Sequence, residues 1–264
     1  MPPKKKEEKV KPQIKKTKTL KRIINPGAEI CLPASRLEEI IHKHEDDELP
    51  WRVFRIMTEF VSGFEFLKQY EKAATFFGSA RFEEDHPDYN EARLLASRLS
   101  QEGFAIITGG GPGVMEAGNR GASEAGGKSV GLNIQLPKEQ RTNSYVKESQ
   151  AFHYFFVRKV MLSFASQIYI FYPGGFGTLD EFFEIATLVQ TKKIQAVPIV
   201  LVGKDFWEPL LKWVESDLYK KYGTISKEDL SIYYLAEDSE AAWKVIQKLI
   251  KEGRVKLGEI HDTP

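Results

Sequence analysis

From residue 73 onward, short apolar runs alternate with longer amphipathic stretches. "AATFFGSA", "FAIITGGGPG", "KSVGLNIQL", "QIYIFY" and "AVPIVLVG" read as strands. Between and after them, helices are predicted over 88–101, 113–126, 154–165, 178–191, 205–219 and 239–251, with a polar loop ahead of 154. Strands that alternate with helices predict a parallel sheet covered on both faces. Upstream, "WRVFRIMTEFVSGFEFLKQY" places Val53, Ile56, Met57, Phe60, Phe64 and Leu67 at helical spacing, so residues 51–70 predict a helix packed on the main domain. Residues 36–49 predict a short polar helix, where His42 and His44 stand two apart and so on different sides; no metal site is expected there.

The pattern defines an α/β fold: a Rossmann-like, doubly wound parallel sheet with helices on both faces and an N-terminal helical extension. The expected domains are a basic tail over 1–35, a helical segment over 36–70 packing on the core, the Rossmann-like domain over 71–252, and a C-terminal tail over 253–264. Sheets of this kind bind ligands at the carboxyl ends of their strands, near a topological switch point. The three glycine clusters, Gly78, Gly109–Gly113 and Gly174–Gly177, each follow a strand and would gather on that one edge.

Composition adjusts this picture in one place. A net charge of +1 over 264 residues conceals a tail, 1–22, of ten Lys/Arg and two Glu, so the remainder is acidic by seven charges. That tail has too few apolar residues to offset its ordering entropy and is expected to be disordered. The acidic body argues against nucleic acid as a partner. One cysteine, Cys31, rules out an intrachain disulfide or thiolate cluster. With no apolar segment behind the basic stretch and no long apolar span, a soluble cytoplasmic protein with no membrane partner is expected.

Glycines at strand-to-helix turns let an anion approach the backbone, and the helix behind them offers unpaired N–H groups. "GGGPGVMEAG" fails the pattern G-x-G-x-x-G, because the third glycine position holds Val114 or Glu116. "ASEAGGKS" has Ala122 where a phosphate-loop glycine belongs, and it precedes a strand. In "PGGFGTLDE", Thr178 and Glu181 also satisfy a capping box, with Thr178 as N-cap. A phosphate needs cations, and "FFVRKVM" supplies Arg158 and Lys159, although an arginine stem covering apolar surface fits Arg158 as well.

Taken in order, "GSAR", "TGGGPGVMEAGNRGA", "GLNIQLP", "FFVRKVM" and "PGGFGTLDE" resemble the nucleotide phosphoribohydrolases of the "lonely guy" type over roughly residues 50–250. The family marker P-G-G-x-G-T-x-x-E is matched at every fixed position from Pro173 to Glu181. The resemblance implies hydrolysis of a nucleoside 5′-monophosphate, AMP or an N6-modified cytokinin type, to free base and ribose 5-phosphate. It implies Arg158 and Glu181 as the catalytic pair. Gly78, Ser79, Gly109, Gly110, Gly111, Lys159, Gly174, Gly175, Gly177 and Thr178 would bind substrate, with Met115 beside the base and Thr187 completing the pocket. No cofactor is expected, and a homodimer or larger assembly is implied. Arg158 would hold phosphate or position Glu181, and Glu181 would stabilise charge on the ribose or activate water. Some members carry a lysine decarboxylase label, for which no pyridoxal constellation stands out in this chain. A molybdenum-cofactor carrier shares the architecture, so binding without catalysis is the alternative. The loop "GLNIQLPKEQRTNSYV", with Glu139, departs from the short plant members.

Overall fold

The computed structural model describes residues 29–31, 49–135 and 142–255. The expectations for residues 1–28 and 32–35 of the basic tail, for His42 and His44, for Glu139 and for residues 256–264 lie outside them.

The chain runs β1 (Glu29–Cys31), α1 (Leu49–Leu67), β2 (Ala73–Phe77), α2 (Pro87–Gln101), β3 (Ala105–Thr108), α3 (Val114–Glu124) and β4 (Ser129–Ile134). It continues through β5 (Glu148–Phe152), α4 (Phe155–Phe164), β6 (Ile168–Phe171), α5 (Phe176–Gln190), β7 (Ile199–Val202), α6 (Lys204–Trp213), β8 (Tyr233–Ala236) and α7 (Ser239–Lys251). The sheet is parallel throughout, in the order β1-β5-β4-β3-β2-β6-β7-β8. β2 lies where the order reverses: Thr75 pairs with Ile107 of β3 on one side and with Tyr169 of β6 on the other. This is the doubly wound α/β fold expected from the alternation.

Four central strands, "AATFF", "AIIT", "IYIF" and "IVLV", are buried at every position, the signature of a parallel sheet with both faces covered. The pleat divides them between two cores. Phe77, Tyr169, Phe171 and Leu201 pack under α1, α4, α5 and α6 against Leu67, Met161, Phe182 and Trp207. Phe76, Ile170 and Val200 face α2, α3 and α7, against Leu95, Leu99, Ala122 and Ile246. α1 packs on the core: Leu67 and Phe66 are buried, and a Cβ on Gly63 would reach within 2.6 Å of Met161 Sδ.

Three strands went unread. "ESQAF" became β5, sheltered between β1 and β4, with Gln150 buried opposite Leu132; its polar residues mimic a loop. β8 and β1 are short strands at the two outer edges. The helix expected over 205–219 divides after Trp213, where α6, which carries Pro209 in its interior, gives way to a π-helix, Val214–Lys221.

Candidate functional site

Hydrogen bonds between turns tie the carboxyl ends of β2, β3 and β6 together. Ser79 N–H donates to Pro173 O (3.0 Å), and Ser79 O accepts from Val114 N–H (3.0 Å). One residue behind β2 therefore joins both glycine turns, and Gly78 gives Val114 its space, since a Cβ there would lie 2.7 Å from the valine.

A buried polar network holds the β3 turn from beneath. Thr108 Oγ1 donates to Asn119 Oδ1 (2.6 Å) and accepts from Gly110 N–H (2.9 Å). Asn119 Nδ2 donates to Ser129 Oγ and Val130 O, while Asn143 donates to Gly110 O, Gly111 O and Asn119 Oδ1. Gly110 has φ +73°, and a Cβ on it would fall 1.9 Å from Asn133 Oδ1, so only glycine fits. A Cβ on Gly109 would lie 2.2 Å from Arg158 Nη2 and 2.9 Å from Met115 Sδ, which brings Gly109, Met115 and Arg158 to one spot.

Arg158 reaches that spot from α4. Its Nε donates to Leu132 O at the end of β4 (2.7 Å), and Nη2 points at Gly109 O (3.5 Å). Glu59 of α1 fixes the helix that carries it: the buried carboxylate accepts from His153 N–H (2.8 Å) and Tyr154 N–H (3.1 Å) at the α4 N-terminus. Burial pushes the guanidinium below its usual value, and the nearby Glu181 carboxylate opposes that shift.

α5 begins at Phe176 with Gly175 as N-cap and no side-chain cap. Thr178 is thus the third residue of the helix, and the capping box is absent. The extended Gly175 (φ −91°, ψ −159°) ends the turn three residues earlier than the motif allows. Thr178 is buried instead beneath Gly174, where a Cβ would meet its Oγ1 at 2.2 Å. The N–H groups of the first turn are left without a side-chain acceptor, a ready site for an anion.

Glu181 faces inward from the first turn and a half of α5. It is 8% exposed, and among the described residues its Oε2 has no hydrogen-bond partner. Burial first, then the like charges of Glu184 and Asp180, push its carboxyl up to about 7, against the pull of Lys159 and Arg158. A buried acid titrating near neutrality is matched to proton transfer at that pH.

Other expected residues stand elsewhere. Lys159 pairs with Asp180 and with Glu184 Oε2 (3.0 Å). Its pKa is raised: burial disfavours the charge, but the two carboxylates outweigh it. Thr187 is exposed, its hydroxyl donating back to Phe183 O (2.7 Å), and the cluster does not include it. Gly175 and Gly177 are exposed at the mouth of the turn. Sequence reading missed Glu59, Thr108, Asn119 and Asn143. Only Glu184 had a legible signal, its i, i+3 spacing from Glu181.

Fold and site together define an α/β protein with an anion-accepting turn beside a buried carboxylic acid and an arginine. Residues 115–246, half of the chain, match the family described as "Possible lysine decarboxylase". The chain belongs to this family, the "lonely guy" family that its motifs resemble. It is 30% identical over 134 residues, 48% of its length, to "Probable cytokinin riboside 5'-monophosphate phosphoribohydrolase LOGL5" of Oryza sativa subsp. japonica, and spans 53% of that relative. It is 25% identical over 194 residues, 72% of its length, to the "Cytokinin riboside 5'-monophosphate phosphoribohydrolase LOG" of the same plant, spanning 78% of it. Among solved structures, the molybdenum cofactor binding protein from Rippkaea orientalis superposes with a TM-score of 0.50 at 21% identity, covering 68% of this chain and 98% of the other, a likeness of fold.

Proposed function

We propose that the protein hydrolyses the N-glycosidic bond of a nucleoside 5′-monophosphate, AMP or an N6-modified analogue, releasing the free base and ribose 5-phosphate. The observation that carries this reading is Glu181: a buried, unpartnered carboxyl beside Arg158, one turn behind the uncapped N-terminus of α5. The 5′-phosphate binds the N–H groups of the Gly174–Thr178 turn, with Ser79 and Gly78 beside it. The Gly109–Gly111 turn and Met115 carry the ribose and base.

In the reaction the C1′–N bond breaks with its electron pair going to the base, water oxygen bonds to C1′, and one water proton ends on the base. Positive charge develops on the ribose ring, and a carboxylate next to it stabilises that charge electrostatically. Glu181, poised near pH 7, takes the proton from the attacking water. Arg158, bonded to Leu132 O, positions Glu181 and holds its ionised form. Phosphate anchoring fixes the approach, which can supply about 7–11 kcal/mol in ideal cases.

Decarboxylation through a lysine Schiff base finds no support at this site. A Schiff-base lysine needs a depressed pKa, whereas Lys159 is held charged by Asp180 and Glu184. A homodimer is part of the proposal. Phe54, Met57 and Val61 form an exposed apolar ridge on α1, and Phe155 and Phe156 stand exposed at the start of α4. Light scattering on the purified protein should read twice the 30.1 kDa chain mass or more.

The test is incubation with AMP and with isopentenyladenosine monophosphate, following free base by chromatography. Release from either, abolished in Glu181→Ala, is expected. No base from either, or undiminished release in Glu181→Ala, refutes the reading; a retained ligand without turnover would point to the carrier alternative.

A further inference from the structure

A cavity of about 410 Å³ opens beside the turns that follow β6, β7 and β8. Pro173 lines it, but Arg158, Glu181 and the Gly109–Gly111 turn do not. One wall carries Phe82 and His86, whose rings lie parallel within 4° at a centroid distance of 3.7 Å and form a flat two-ring slab. Phe206, from the first turn of α6, lines the same space and is 40% exposed.

The polar lining is acidic. Asp88, 3.6 Å from His86 Nδ1, Asp205 and Glu237 contribute three carboxylates against the ammonium of Lys204 and the imidazole of His86. Among the described residues, Asp205 and Glu237 form no ion pair and accept no hydrogen bond, and Lys204 is equally unpaired. Burial raises the Asp88 carboxyl above its usual value, so a donor arriving next to it would be favoured. An excess of carboxylate repels phosphates and acids. No group of three His, Cys, Asp or Glu among the described residues is arranged to hold a metal ion. Flat aromatic surface selects planar ligands, and acceptor-only carboxylates select ligands rich in N–H. A volume of this size falls in the range of small-molecule sites.

We propose that this cavity is a second binding site, which takes a small planar nitrogen heterocycle bearing amino or protonated ring N–H groups. The ring lies along the Phe82–His86 slab and Phe206, and its N–H groups meet Asp205 and Glu237. The assignment does not depend on the hydrolytic reading. It does connect to that site, because Pro173 lines the cavity while its carbonyl accepts from Ser79 N–H.

The test is calorimetric titration of the full-length protein at neutral pH with adenine and with 2-aminobenzimidazole, using uracil as an acceptor-rich control. Four forms are compared: wild type, Phe206→Ala, the double variant Asp205→Asn/Glu237→Gln, and Glu181→Gln. At least one of the two amino heterocycles should bind wild type and Glu181→Gln alike. That affinity should fall roughly tenfold or more in the other two variants, in line with loss of a binding anchor. Base release from AMP should survive in those two, so failure of this site and failure of the proposed reaction separate cleanly. No binding of either ligand to wild type at about 1 mM overturns the proposal. So does equal affinity in all four forms, uracil binding as well as the amino heterocycles, or loss confined to Glu181→Gln, which would place the ligand in the catalytic cluster.

Discussion

Replacing Glu181 by glutamine should make the protein more stable at alkaline pH, while destroying the proposed activity. In the fold its carboxyl titrates at about 7 against 4.5 for an unperturbed glutamate, so ionisation is disfavoured by burial and by Glu184 and Asp180. At about 1.36 kcal/mol per pH unit, the folded ionised form is penalised by about 3 kcal/mol. The sign follows from proton binding. Between pH 4.5 and about 7 the folded state holds the proton more tightly than the unfolded state, so wild-type stability is full below 4.5 and declines as pH rises through 7. Glutamine has nothing to lose over that interval. Any fixed packing or hydrogen-bonding change it brings is the same at every pH. Denaturant unfolding of wild type and Glu181→Gln from pH 4.5 to 8.5 should therefore show a difference that grows in favour of the variant by about 3 kcal/mol. A difference independent of pH would refute the claim that Glu181 is a desolvated acid, and with it the poise assigned to the site.

Glu184→Gln removes the largest like charge acting on Glu181, so the acid limb of the kcat/KM profile, centred near pH 7, should move to lower pH; an unmoved limb would contradict the coupling. Arg158→Lys forfeits the fixed Nε contact with Leu132 O and should lower kcat by about 100-fold with an unchanged circular dichroism spectrum. Gly110→Ala forces a Cβ onto Asn133 Oδ1 at positive φ and should destabilise by roughly 2 kcal/mol or more in urea unfolding. Glu59→Ala leaves the N–H groups of His153 and Tyr154, just ahead of α4, unmatched and should cost about 2 kcal/mol, measured the same way.

The fold was legible where burial on both faces wrote a continuous apolar run. Apart from Thr75 and Thr108, β2, β3, β6 and β7 carry nothing else, and glycines follow β2, β3 and β6 on the edge proposed to bind substrate. β5 was illegible because a strand covered by neighbours on both sides can bury Ser149 and Gln150, and no period-two pattern of hydrophobicity then survives. At the site, Arg158, Gly109, Met115 and Glu181 could be named from ordered motifs. What could not be read was the competition among local partners. "TLDE" satisfies a capping box on paper, yet Gly175 begins the helix; Lys159 sits beside Arg158 in sequence, yet Asp180 and Glu184 claim its charge. The supports are harder still. Glu59 lies about a hundred residues from the helix it fixes, and Thr108 meets Asn143 through Asn119 and Gly110, so no local spacing announces Glu59 or Asn143.

The position of β2 at the reversal of the sheet has a consequence for synthesis on the ribosome. β2, β3 and β4 with α2 and α3 are contiguous in the chain, and their pairings can close as soon as residue 134 has emerged. Arg158 and Glu181 arrive afterwards, on helices flanking β6, a strand that must find the far side of a β2 already paired with β3. At roughly 5–20 residues per second, the nascent chain carries the β3 glycine turn for several seconds before either of these residues exists. A fragment ending near residue 150 would present the Gly109–Gly111 turn without Arg158, Glu181 or the Gly174–Thr178 turn.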